Sequence, residues 1–190
     1  MITVEEAKEL IKSILSEKRY NHSICVMERC IEYAQIYGID ENKACLMGLL
    51  HDMAKEMSKE EKIEYCNNND LPIDDIERRH VTLLHAKIAA HMAKTKYGLS
   101  NDVCDAIEYH TTGRVNMTIW DKILYAADAT GKDRHYDNTE FLYNLAKENI
   151  DKCVIEILKV STIDRFEEEK LVHLESVKAF NDLLIKTCND

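Results

Sequence analysis

Residues 44–56 read Ala44-Cys45-Leu46-Met47-Gly48-Leu49-Leu50-His51-Asp52-Met53-Ala54-Lys55-Glu56. From Ala44 to Leu50 no side chain is charged, so a helix built from this run is apolar all round and belongs in an interior. The next two residues are a His and an Asp. Burying that pair against an apolar helix end is costly unless something satisfies both, and a divalent cation is the usual partner. The plainer reading is a helix-terminal His beside a surface Asp. It loses ground because the apolar run points this helix end inward. Three more His and one more Asp stand at helix-like positions, His22, His85, His110 and Asp128. All six residues are read as one site.

Outward from this stretch the chain keeps the helical period. Five Gly and one Pro in 190 residues leave little punctuation for hairpins. Thr3 with Glu6 forms a capping-box pattern that opens a first helix, expected to reach about Lys18. A second is expected from about Tyr20 to Tyr37, with Gly38 as its stop. Asp40 caps the helix that ends in His51-Asp52, and Ser58 with Glu61 opens a fourth before Pro72. Further helices are expected over about Val81–Tyr97, from Ser100 to His110 and over Met117–Asp128, with two or three more from Thr139 to Cys188. Residues 129–138 are the most loop-like stretch. The reading is one all-α domain, without internal repeat or linker.

Composition bounds the function. Hydrophobic residues make up 45% of the chain, and no run approaches the roughly 20 apolar residues of a membrane span. The acidic N-terminal residues lack the pattern of a signal peptide, so a cytoplasmic location is expected. Seven Cys without a Cys-x-x-Cys pair argue against a structural zinc site and against a disulfide framework. A net charge of −10 opposes a sequence-independent grip on nucleic acid polymers. It leaves room for a small phosphate ligand in a locally positive pocket.

Two imidazoles and two carboxylates, His22, His51, Asp52 and Asp128, form a nitrogen and oxygen donor set without thiolate. Such a set suits iron, manganese, zinc or magnesium. A bound ion would acidify water and polarise a phosphoryl group. A 2+ ion and two carboxylates sum to about zero, so a polyphosphate needs further cations. Lys55, at i+3 from Asp52, points to the same helix end. Arg114, after His110-Thr111-Thr112-Gly113, and Arg134, in the loop beyond Asp128, suit bidentate phosphate contact. His85 and His110 could hold a second ion, contact phosphate oxygens or protonate a leaving group. His80, His91 and His135 read as ordinary surface or core residues.

These motifs resemble the HD superfamily of metal-dependent phosphohydrolases, and within it the YqeK family of symmetrical bis(5'-nucleosyl)-tetraphosphatases. The resemblance rests on Arg19-Tyr20-Asn21-His22, Leu49 to Glu56, Leu84-His85, Ile107-Glu108-Tyr109-His110-Thr111-Thr112-Gly113-Arg114 and Lys122 to Asp128. It covers about residues 15 to 185. It implies a single HD-type helical bundle of about eight to ten helices spanning 1–190, and hydrolysis of diadenosine tetraphosphate to two ADP. The implied cofactor is iron, with manganese, cobalt or zinc as alternatives. Carried over by motif, His22, His51, Asp52 and Asp128 hold the metal, and Arg19, Lys55, His85, His110, Thr111 and Arg134 hold the nucleotide phosphates. Asp52, Lys55, His85 and His110 are the expected catalytic set. His173 joins the nucleotide contacts through the similar stretch Lys170–Val177. The rival readings are another phosphohydrolase of the superfamily, acting on mononucleotides or guanosine polyphosphates, and a nucleotide-binding module without catalysis. The expected partner is a small nucleotide, with no nucleic acid polymer and no membrane; a homodimer is the expected assembly. Two departures stand out. Where the family reads close to Ile-Glu-Pro-Gly-Arg after the last metal Asp, this chain has Thr130-Gly131-Lys132-Asp133-Arg134, with Gly131 in place of the acid and Lys132 in place of Pro. Leu174 stands where the family tends to have Pro.

Overall fold

The computed structural model describes residues 1–134 and 138–187. Among the described residues there is no strand, and the regular structure is eleven α-helices with one 3-10 turn at Val81–Leu83. The helices are α1 (Val4–Ile14), α2 (Glu17–Tyr37), α3 (Glu41–Leu50), α4 (Lys59–Asn68), α5 (Asp75–Arg79), α6 (Leu84–Thr95), α7 (Asn101–Tyr109), α8 (Ile119–Ala129), α9 (Thr139–Glu148), α10 (Ile150–Glu167) and α11 (Leu174–Thr187). The expected caps at Thr3, Asp40 and Ser58 all accept from helix N–H groups. Gly38 ends α2 at φ +69°, where a side chain would be strained.

α3 is the centre of the bundle. Every residue from Ala44 to Leu50 is buried, and full burial of a Leu or Met side chain is worth roughly 1.5–3 kcal/mol. α1, α2, α7 and α8 all pack against it. At Gly48 the backbones of α2 and α3 touch: a Cβ there would lie 2.6 Å from Met27 Cα. Apolar contact is continuous from Ala7 on α1 to Leu183 on α11.

Three details differ from the sequence expectation. The first helix stops at Ile14 and α2 begins already at Glu17. Between them Ser16 gives its N–H (2.5 Å) and hydroxyl (2.6 Å) to Glu56, forty residues away. The eleventh helix, beyond the eight to ten expected, is α5. It has five residues, too few to show a period, and it is defined by the Asp74–Glu77 capping box. The helix expected from Val81 starts as a 3-10 turn and becomes α only at Leu84.

Candidate active site

The end of α3 delivers His51, fully buried, into the middle of the fold. Its Nδ1 lies 2.7 Å from the Gly48 carbonyl oxygen. A carbonyl only accepts, so Nδ1 carries the proton and Nε2 keeps its lone pair. That Nε2 is buried and has no hydrogen-bond partner. An unpaired buried polar atom costs on the order of 1–3 kcal/mol, which a cation at the lone pair would remove.

The same backbone device recurs twice. His85, in the first turn of α6, donates from Nδ1 to the Thr82 carbonyl at 2.5 Å. His110, at the end of α7, donates to the Ile107 carbonyl at 2.7 Å. In all three cases the acceptor is three residues back and Nε2 faces the interior. The Nε2 atoms of His85 and His110 are 3.2 Å apart. Asp52, 2% exposed, sits among them. Its Oδ1 is 2.9 Å from His85 Nε2, 3.6 Å from His110 Nε2 and 3.3 Å from Lys55 Nζ. Its Oδ2 is 3.8 Å from His51 Nε2 and 3.5 Å from Arg19 Nη1.

On the opposite side, α2 contributes His22 and α8 contributes Asp128, with His22 Nε2 3.0 Å from Asp128 Oδ1. Thr130, just beyond α8, holds the two helices in register. Its hydroxyl bonds to Tyr33 at 2.7 Å and its carbonyl accepts from Arg29 Nε at 2.9 Å. His22 Nδ1 donates to Asp133 Oδ2 at 2.8 Å. Donor atoms within 4.8 Å of one another form two overlapping triads, His22–His51–Asp128 and His51–Asp52–His110. The four residues expected to hold a metal thus meet around His51, with His110 added on the Asp52 side.

The electrostatics suit a cation. Burial pushes the His51 and His85 imidazoles down to about 4, so both are neutral acceptors at pH 7. Burial works to raise Asp52 and Asp128, yet the surrounding His hold both well below the usual carboxylate range. Burial opposes charge on His22, but the Asp128 hydrogen bond overcomes this and raises its pKa. Ionised carboxylates and neutral imidazoles with inward lone pairs fit a divalent metal.

The phosphate-binding candidates divide into two groups. Lys55 Nζ lies 3.0 Å from His85 Nε2. Arg134 contacts both the Asp128 carboxylate and, at 2.9 Å, its carbonyl. With Arg19 these join the His–Asp cluster. Arg114 and His173 do not. Arg114 is held between Asp105 (3.0 Å) and Asp121 (2.9 Å), and His173 Nε2 is 2.9 Å from Asp74. Both line a cavity of about 470 Å³ that includes Lys87 and Tyr109. A second cavity, of about 510 Å³, is lined by His110, Asp128, Arg134 and Tyr125. Thr111 lines both. Of the His read as ordinary, His91 pairs with Tyr65 at 2.9 Å and His80 ends α5; His135 lies outside the described residues.

Sequence reasoning missed two residues. Lys62, 4% exposed, donates from Nζ to the carbonyls of Lys55 (3.0 Å) and Met57, and so braces the turn that carries His51 to Lys55. Its place in the first turn of α4 reads as surface. Asp133 was visible only as a loop residue next to Arg134.

The HD domain family matches residues 19–133. The chain is 32% identical to the symmetrical bis(5'-nucleosyl)-tetraphosphatase of Halalkalibacterium halodurans, over 95% of this chain and 97% of that one. It is 30% identical to the protein of the same name from Bacillus subtilis, again over 95% and 97%. Among solved structures, the Clostridium acetobutylicum protein described as a predicted HD superfamily hydrolase involved in NAD metabolism superposes with a TM-score of 0.94. It is 33% identical, and the match covers 98% of this chain and 99% of that one.

Proposed function

The chain belongs to the HD domain family, and on that premise we propose that it is a metal-dependent hydrolase that cleaves diadenosine tetraphosphate symmetrically into two ADP. The observation that carries this reading is the orphaned Nε2 of His51 at the junction of two His–Asp triads, in a chain similar along nearly its whole length to symmetrical tetraphosphatases.

His22, His51, Asp52 and Asp128 would hold the ion. When bound it supplies Lewis-acid polarisation of a phosphoryl oxygen and lowers the pKa of water. The donor set suits several divalent ions; the family resemblance points among them to iron, with manganese, cobalt and zinc as alternatives. The protein's own groups do the rest. Lys55 and Arg134 present fixed positive charge to the phosphate oxygens, where charge grows in the transition state, and Arg19 and the Thr111 hydroxyl add donors. His85, its Nε2 3.0 Å from Lys55 Nζ, steadies the growing charge by orienting that amine. The departing ADP takes a proton from His110 or from water. Arg114 is left out of this set because two carboxylates already claim it. His173 is assigned to the far cavity, as a contact for the second nucleoside.

Cavities on both sides of Thr111 suit a substrate with two nucleoside ends. Among the described residues no helix is long and apolar enough to cross a membrane. A single HD domain over 1–190, a cytoplasmic location and a homodimer complete the reading. Metal analysis of anaerobically purified protein, with product analysis on diadenosine tetraphosphate, tests it. Two ADP per molecule cleaved is expected. AMP with ATP, or no turnover under iron, manganese and cobalt, would overturn it.

A further inference from the structure

Three of the four clustered imidazoles are oriented by the backbone one turn back, at Gly48, Thr82 and Ile107. His22 differs: its Nδ1 faces a carboxylate, Asp133 Oδ2, at 2.8 Å. Asp133 stands in the short turn closed by the Arg134 N–H to Gly131 carbonyl bond of 2.9 Å. The other carboxylate oxygen occupies the space that a side chain at 131 would need: a Cβ on Gly131 would come within 2.6 Å of Asp133 Oδ1. The absent side chain at 131 and the carboxylate at 133 are therefore one steric arrangement. Two residues beyond the position where the resemblance implies an acid, this loop carries one, and a glycine stands at that position.

We propose that Asp133 is the positioning residue for His22, accepting its Nδ1–H so that Nε2 turns toward Asp128 and the ion, and that Gly131 exists to make room for it. A carboxylate behind a ligating imidazole fixes its tautomer and raises its basicity. The inference rests on the metal reading above. A surface ion pair of the loop, the rival account, would contribute little anywhere and would leave metal affinity untouched.

The experiment compares metal-free wild type with Asp133→Ala, Gly131→Ala and Lys132→Ala, each titrated with manganese against a competing chelator. Asp133→Ala should bind about 10–100-fold more weakly. Gly131→Ala, which keeps the carboxylate but displaces it, should weaken binding in the same direction. Lys132→Ala removes only the 2.6 Å contact to Glu28 and should match wild type. In the cobalt-loaded protein the exchangeable Nδ1–H resonance of His22 should be shifted and exchange faster in the first two variants. Wild-type affinity and an unchanged resonance in Asp133→Ala would overturn this role alone. A wild type that binds no divalent ion would instead overturn the metal reading.

Discussion

His51 and Gly48 form a single device. The Gly48 carbonyl accepts the Nδ1–H of His51 at 2.7 Å, and the missing side chain of the same glycine brings α3 against the backbone of α2 at Met27. One residue sets both the tautomer of the buried imidazole and its distance to His22, whose ring centroid is 5.5 Å away.

Gly48→Ala should therefore damage stability and site together. Its Cβ would meet Met27 Cα at 2.6 Å and Met27 N at 2.8 Å, both backbone atoms that cannot rotate aside. Overpacking of this kind costs roughly 1–3 kcal/mol. Urea unfolding should show that loss, and metal titration a weaker site. A variant as stable as wild type would mean that α2 and α3 part without cost.

His51→Ala should lose the ion and with it turnover, by more than the ~100-fold that loss of a supporting partner typically costs. Metal content and steady-state rate, measured on the same sample, check this. Near-normal activity in a metal-free His51→Ala protein contradicts the assignment.

Lys55 and Arg114 should separate cleanly. Lys55 Nζ faces Asp52 and His85, so Lys55→Ala should lower kcat/KM by about 100-fold or more, as for other donors aimed at developing charge. Arg114→Ala strands Asp121, 2% exposed, without its cation. The cost should be about 3 kcal/mol of stability, with activity per folded molecule nearly kept. A Lys55→Ala enzyme with a wild-type rate, or an Arg114→Ala protein with an unchanged melting temperature, would reverse these roles.

The metal-free protein should be sensitive to mild acid. His51 and His85 fall from 6.5 to about 4 on folding, so between those values the unfolded chain binds more protons. Their contribution is complete above pH 6.5 and is lost as the pH falls to about 4, roughly 3 kcal/mol for each. Asp52 and Asp128, depressed by folding, add to the loss below the ordinary carboxylate range. His22, raised by Asp128, acts in the opposite sense and stabilises on the acid side. Urea midpoints at pH 7 and pH 5 should differ markedly, and a flat profile would refute the burial argument.

The amino-acid sequence by itself determined the helical class, the caps at Thr3, Asp40 and Ser58, and the burial of Ala44–Leu50, because these follow from local hydrogen-bond geometry and from an unbroken apolar run. It also marked His51 and Asp52, since a His and an Asp at the end of such a run demand a partner, and the family resemblance of the flanking motifs added His22 and Asp128. Tertiary structure alone decided the break at Ser16, which Glu56 imposes from forty residues away, and the capture of Arg114 by Asp105 and Asp121. It alone buried Lys62 and brought the exposed Asp133 against His22. Whether a charged side chain meets solvent, substrate or another charge depends on which helices lie beside it, and no local period carries that information.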